Sequence, residues 1–86
     1  MREQATRFPD GTYEIEGTAR DILECLCSWP DMTINGLAQE LARHPLTIKR
    51  AINELRELGL ITVSSHANRL IYYPSESARR TVYDRY

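Results

Sequence analysis

Residues 33–59 read TINGLAQELARHPLTIKRAINELRELG, and the reading of this stretch decides the fold. Ile34, Leu37, Ala38 and Leu41 recur at helical spacing, and Thr33 stands where an N-cap belongs. Ile48, Ile52, Leu55 and Leu58 form a second apolar stripe. Gly59 follows that stripe, where helices commonly end in a left-handed residue. Between the stripes, Ala42-Arg43-His44-Pro45 leaves room only for a tight turn. Pro45 falls at the first helical position, where its missing N–H had no intrahelical partner. The pattern predicts two short helices joined by a tight turn.

That layout is a helix-turn-helix. On the second helix, Leu46, Lys49, Arg50 and Asn53 share the outward side and are not needed for the core. Their chemistry suits a DNA groove: Arg50 can donate twice to guanine, and Asn53 can both accept from and donate to adenine. Lys49 suits guanine or phosphate, and Thr47 suits a phosphate near the helix N-terminus. Arg43, in the turn, is a further DNA-contact candidate. The alternative for Arg50 is a surface pair with Glu54, worth a few tenths of a kcal/mol.

Upstream, Ala19, Ile22, Leu23 and Leu26 predict a helix over residues 18–28, with Thr18 as N-cap and Asp21 completing a short capping box. Trp29-Pro30-Asp31 ends it, and Trp29 is expected to pack over the helix end. Phe8-Pro9-Asp10-Gly11 is a turn, followed by a short alternating strand over residues 12–16 with Tyr13 and Ile15 on one face. Residues 1–6 show no periodicity and are expected to fray.

Downstream, residues 60–64 alternate as a strand, with Ile61 and Val63 on one side. Residues 65–68 form the turn, and residues 69–73 return, with Ile71 and Tyr73 expected to face the core and Leu70 and Tyr72 the other side. A hairpin directly after a helix-turn-helix is a wing, which makes His66, Asn68 and Arg69 DNA-contact candidates. Arg69 is expected over the backbone or in the minor groove. Pro74 breaks the strand, and Ser75 caps a last helix to about Asp84. Its strip of Ala78, Val82, Tyr83 and Tyr86 is a dimer-interface candidate, with a tail folded back on its own core as the alternative.

The bulk properties bound the rest. A chain of 86 residues is one small domain, read as a core over residues 18–73, an N-terminal arm over 1–17 and a C-terminal helix over 75–86. Such a domain often gains stability by dimerising. No apolar run approaches the ~20 residues that span a bilayer, and no signal-peptide pattern opens the chain, so a cytoplasmic, nucleoid-associated location is expected. Net charge is −1, but it is unevenly distributed. Acids dominate up to Ala42, bases dominate from Arg43 on, and no acid lies between Arg43 and Asn53. That is a local electrostatic footprint for nucleic acid. Cys25 and Cys27 diverge by ~200° around a helix, so they chelate one metal poorly. They read as small, partly buried apolar residues, with thiol or metal sensing as the alternative. No phosphate loop, ligand cluster or nucleophile with a base is legible, so neither an enzyme, a metal site nor a cofactor is expected.

Helix, helix-turn-helix, hairpin and C-terminal helix together resemble the winged helix-turn-helix transcriptional regulators, broadly the ArsR and MarR groups. The resemblance covers residues 18–73. It is most specific over LAQELARHPLTIKRAINELRELGLI, with Thr47-Ile48 and the Leu55 to Leu60 pattern, and Arg69-Leu70-Ile71-Tyr72-Tyr73 resembles the family's wing. It implies an α+β fold: a three-helix core, a two- or three-stranded antiparallel sheet and a C-terminal helix. It also implies sequence-specific binding of double-stranded DNA, helix 45–58 in the major groove, wing 60–73 on the backbone or minor groove, and a homodimer. The alternative is a winged helix serving as a protein-interaction module. The chain departs from the family pattern at Ala42, Arg43 and His44, where Gly, Leu and Ser or Asp are usual. The cysteines of ArsR-type metal sensors fall at Thr33 and Asn35 here, so metal sensing is not carried over.

Overall fold

The computed structural model describes residues 6–9, 13–29 and 31–83. In chain order these form β1 (Thr6–Arg7), β2 (Tyr13–Glu14), α1 (Gly17–Ser28), α2 (Ile34–Leu41), α3 (Pro45–Glu57), β3 (Ile61–His66), β4 (Arg69–Pro74) and α4 (Glu76–Tyr83). The architecture is a winged helix: α1, α2 and α3 pack around one core, and β3 and β4 form an antiparallel hairpin against it.

The core follows from the helical stripes. Ile22, Leu23 and Leu26 of α1, Leu37 of α2, Ile48, Ile52 and Leu55 of α3, and Leu60 are buried together. Each such side chain contributes about 1.5–3 kcal/mol relative to leaving it exposed. Cys25 joins this cluster and Cys27 packs at its edge. Burial raises the pKa of both thiols, with Glu40 adding to the effect at Cys25. At Cys27 the nearby Arg79 opposes the rise and Glu24 adds to it. Thiolate is therefore disfavoured at both positions.

Both helices of the central motif end as their sequences require. After α3, the Gly59 N–H donates to the Arg56 carbonyl (3.0 Å) and the Leu60 N–H to the Leu55 carbonyl (2.9 Å), with Gly59 at φ 75°. This is a Schellman motif, and the accompanying apolar contact is supplied by Leu55 and Leu60, both fully buried. After α2 the same pair of bonds recurs: Ala42 N–H to Gln39 (3.3 Å) and Arg43 N–H to Ala38 (3.0 Å). Here the left-handed residue is Ala42, at φ 54°, ψ 47°. The tight turn is thus formed in the absence of glycine, at the steric cost that a Cβ meets in this conformation. Replacing Ala42 by Gly relieves that cost of about 1–2 kcal/mol but adds about 0.5–1 kcal/mol of chain entropy to lose on folding. The variant should gain up to about 1.5 kcal/mol, each kcal/mol being a rise of about 4–8 °C in Tm for a domain of this size. A thermal melt showing a fall in Tm would mean that the turn is unstrained, because only the added chain entropy would then act.

Four sequence expectations are corrected. Thr18 is not the cap of α1: Glu16 is, without a side-chain bond to the helix, because Gly17 already turns the chain at φ 69°. Trp29 is 62% exposed rather than packed over the helix end. The strand expected over residues 12–16 is only Tyr13–Glu14, and it pairs with Thr6–Arg7, a segment whose two residues are too few for periodicity to register. In β4 it is Tyr72 that is buried, while Ile71 and Tyr73 are half-buried. The hairpin register sets Tyr72 opposite Val63 and Pro74 opposite Ile61, so these four share the inner face. The Tyr72 N–H also donates to the Met32 carbonyl (3.0 Å), an isolated bridge that adds a one-residue third strand. The turn expected at Asp10 and Gly11 lies outside the described residues, as do residues 1–5.

The Ser75 hydroxyl accepts from the Ala78 N–H (3.2 Å) and caps α4, as its sequence indicates. α4 then packs on α1, with Ala78, Thr81 and Val82 buried. This corrects the reading of Ala78 and Val82 as a dimer surface: they are covered by their own chain. The Thr81 hydroxyl donates to the Ser77 carbonyl (2.8 Å) and accepts from the Tyr13 N–H (3.2 Å), and the Tyr13 hydroxyl donates to the Leu58 carbonyl (3.3 Å). Those bonds tie β2 to α4 and to the end of α3.

Candidate nucleic-acid interface

The interface begins at the turn between α2 and α3. The His44 Nδ1 accepts from the Leu46 N–H (3.1 Å), satisfying one of the orphan donors at the start of α3. In a neutral ring this places the proton on Nε2. Pro45 occupies the first helical position, so the start of α3 is fixed by both a cap and a ring.

Along α3 the two faces separate cleanly. Ile48, Ala51, Ile52 and Leu55 are buried, whereas Leu46, Thr47, Lys49, Arg50 and Asn53 are exposed. Leu46, Lys49, Arg50 and Asn53 fall within a sector of ~100° on the side away from the core. Among the described residues, the side chains of Lys49, Arg50 and Asn53 make no hydrogen bond or ion pair, so the Arg50–Glu54 pair considered from sequence is not formed. Two cations and an amide are therefore presented to solvent with their donors available.

Arg43 is placed differently. Its Nη2 lies 2.8 Å from Asp21 Oδ2 on α1, with both side chains about two-fifths exposed. A leucine at this position would close the Schellman motif with an apolar contact. The charge instead reaches α1, in an exposed pair worth at most about 1 kcal/mol.

The wing supplies the second contact element. β3 and β4 are joined by Ala67 and Asn68, both left-handed (φ 49° and 65°), as a two-residue hairpin turn requires. His66 is the last residue of β3 and pairs with Arg69, the first of β4. His66, Asn68 and Arg69 are all exposed. Arg69 and Leu70 line a cleft of about 260 Å³ together with Tyr72 and with Thr33, Ile34 and Asn35 at the start of α2. Sequence reading missed Thr33, Ile34 and Asn35 as neighbours of the wing. Their proximity depends on the Met32–Tyr72 bridge, a long-range pairing that leaves no local pattern.

The dimer candidates divide. Ala78 and Val82 are inside the fold, Tyr83 is 55% exposed with its hydroxyl 3.4 Å from the Cys27 carbonyl, and Tyr86 lies outside the described residues. Among the described residues no group of three or more His, Cys, Asp or Glu side chains could hold a metal ion. None of their helices is long and apolar enough to cross a membrane.

The sequence model for winged helix-turn-helix DNA-binding domains matches residues 15–62, more than half of the chain. The chain belongs to the winged helix-turn-helix DNA-binding family. Solved structures agree on the fold. A MarR family transcription regulator is 25% identical with a TM-score of 0.75, over 79% of this chain and 47% of that one. MepR, a transcription regulator of the Staphylococcus aureus multidrug efflux pump MepA, is 22% identical with a TM-score of 0.76, over 80% of this chain and 53% of that one. A variant of ZitR from Lactococcus lactis, solved in complex with DNA, is 24% identical with a TM-score of 0.73, over 80% of this chain and 49% of that one. The chain thus spans about half the length of these proteins. No curated protein matches it.

Proposed function

We propose that this winged helix binds double-stranded DNA sequence-specifically and acts in transcription regulation, working as one of two copies. α3 enters the major groove, and the β3–β4 wing lies on the backbone or in the minor groove. The observation that carries this reading is the outward face of α3, where Leu46, Lys49, Arg50 and Asn53 are exposed in one sector with no acid from Arg43 to Asn53. Thr47, at the edge of that sector, suits a phosphate, as does His66 near the wing tip, and Arg43 reaches one by exchanging its exposed pair with Asp21. Asn68, at the hairpin turn, supplies a further donor to the backbone. For the second copy, the exposed aromatics Trp29 and Tyr83 offer the apolar surface that Ala78 and Val82 do not.

Arg69 tests the wing's share of this function. As a phosphate or minor-groove contact it adds affinity that depends little on base sequence. Arg69→Ala should weaken binding to matched and mismatched duplexes alike. It should also lower the slope of log K against log salt by about 0.9 for each phosphate that is no longer neutralised. Binding measured over a salt series reads both quantities. An unchanged slope in a folded variant would take the wing off the DNA. If Arg50→Ala also leaves affinity unchanged, the α3 face serves a protein partner instead.

A further inference from the structure

The exposed leucine at the start of α3 has no role in the fold. Leu46 is 58% exposed. It lies ~180° around the helix axis from the buried Leu55, so no rotation of α3 would bring it into the core while the present stripe stays there. It stands in the same outward sector as Lys49, Arg50 and Asn53. Its backbone is also held rigidly, because its N–H is bonded to His44 Nδ1 and the preceding residue is Pro45. An apolar side chain is thus displayed at a fixed place on a polar, cationic surface.

We infer that Leu46 is a specificity-determining residue that reads the C5-methyl group of thymine in the major groove. The inference rests on the proposed docking of α3 into that groove. A leucine has no donor or acceptor, so it distinguishes bases only through apolar contact. Among the four bases, thymine alone presents a methyl group on the major-groove edge. Lys49, Arg50 and Asn53 read hydrogen-bonding patterns. Leu46 adds a contact that follows the methyl itself, so the protein discriminates thymine from deoxyuridine, whose hydrogen-bonding edge is the same.

The probe is a duplex recovered by this protein from a random-sequence pool. Each thymine in it is then replaced singly by deoxyuridine. At one or two positions the wild-type protein should lose about four-fold in affinity, the worth of burying one methyl group. The other replacements should leave binding unchanged. Leu46→Ala, at an exposed position, keeps the fold, as circular dichroism would verify, and should bind the thymine and deoxyuridine duplexes equally at the sensitive positions. Leu46→Met, which keeps an apolar side chain, should retain part of the discrimination.

Wild-type binding that ignores every deoxyuridine overturns the inference and leaves DNA binding in place. Sensitivity that persists unchanged in Leu46→Ala also overturns it, since the methyl would then act through duplex shape or through another residue. Failure to recover any preferred duplex overturns both the inference and the reading beneath it.

Discussion

Arg50→Ala is expected to lower affinity for a preferred duplex by about 1–3 kcal/mol, roughly five- to 150-fold, and to flatten the preference at one or two base pairs. The effect follows from where the guanidinium stands. Arg50 is on the exposed face of α3, one turn after the fixed N-terminus, and no carboxylate among the described residues neutralises it. Its planar fork matches the O6 and N7 acceptors of guanine, a geometry that an ammonium cannot reproduce. Arg50→Lys should therefore keep much of the sequence-independent affinity and still lose the base preference. The measurement is binding of both variants to matched duplexes and to duplexes mismatched one pair at a time, at fixed salt. Equal losses across every duplex would assign Arg50 to phosphate rather than to a base. No loss in a folded protein would remove α3 from the DNA altogether.

How much of this is legible in the sequence depends on how local each feature is. The motif helices are readable because their stripes obey a 3.6-residue period and their ends carry chemistry of short range: Thr33, whose hydroxyl accepts from the Gly36 N–H, Pro45 at the first helical position, and Gly59 in a Schellman motif. The outward placement of Leu46, Lys49, Arg50 and Asn53 follows from the same period. Features that depend on distant partners are not readable. Which face of β4 is buried depends on a one-residue register relative to β3, and alternation alone is satisfied by either choice. Tyr72 and Tyr73 differ in no chemical respect, so nothing in their identity separates them. Arg43 reads as a surface cation available to DNA, but the fold brings Asp21, two elements earlier, within 2.8 Å. Ala78 and Val82 give a clear amphipathic strip, but periodicity specifies only that a strip is covered, not by which surface. Ala42 shows a different limit. Its residue type disfavours the left-handed turn, yet the two Schellman bonds and the packing of both helices hold it there.

The division of α3 into a core face and a binding face makes Ile48 the natural counterpart of Arg50. Ile48 is fully buried in the cluster formed with α1, α2 and Leu60. Truncation to Ala removes methyl and methylene groups from a packed interior and leaves a cavity that a small core refills poorly, at a cost of about 2–5 kcal/mol. Domains of this size have ΔG of unfolding on the order of 5 kcal/mol, so that loss consumes much or all of the margin. Ile48→Ala should show a large fall in the urea midpoint with little change in slope, because the surface exposed on unfolding is nearly the same. DNA binding should fall only in proportion to the folded fraction, and base preference should persist, because the side chain never reaches solvent. Arg50→Ala should show the converse: an unchanged urea midpoint and an altered base preference. A loss of base preference in Ile48→Ala at a temperature where the protein remains folded would show that core packing beneath α3 sets the pose of the reading face. The fully buried side chain would then act on specificity through helix position alone.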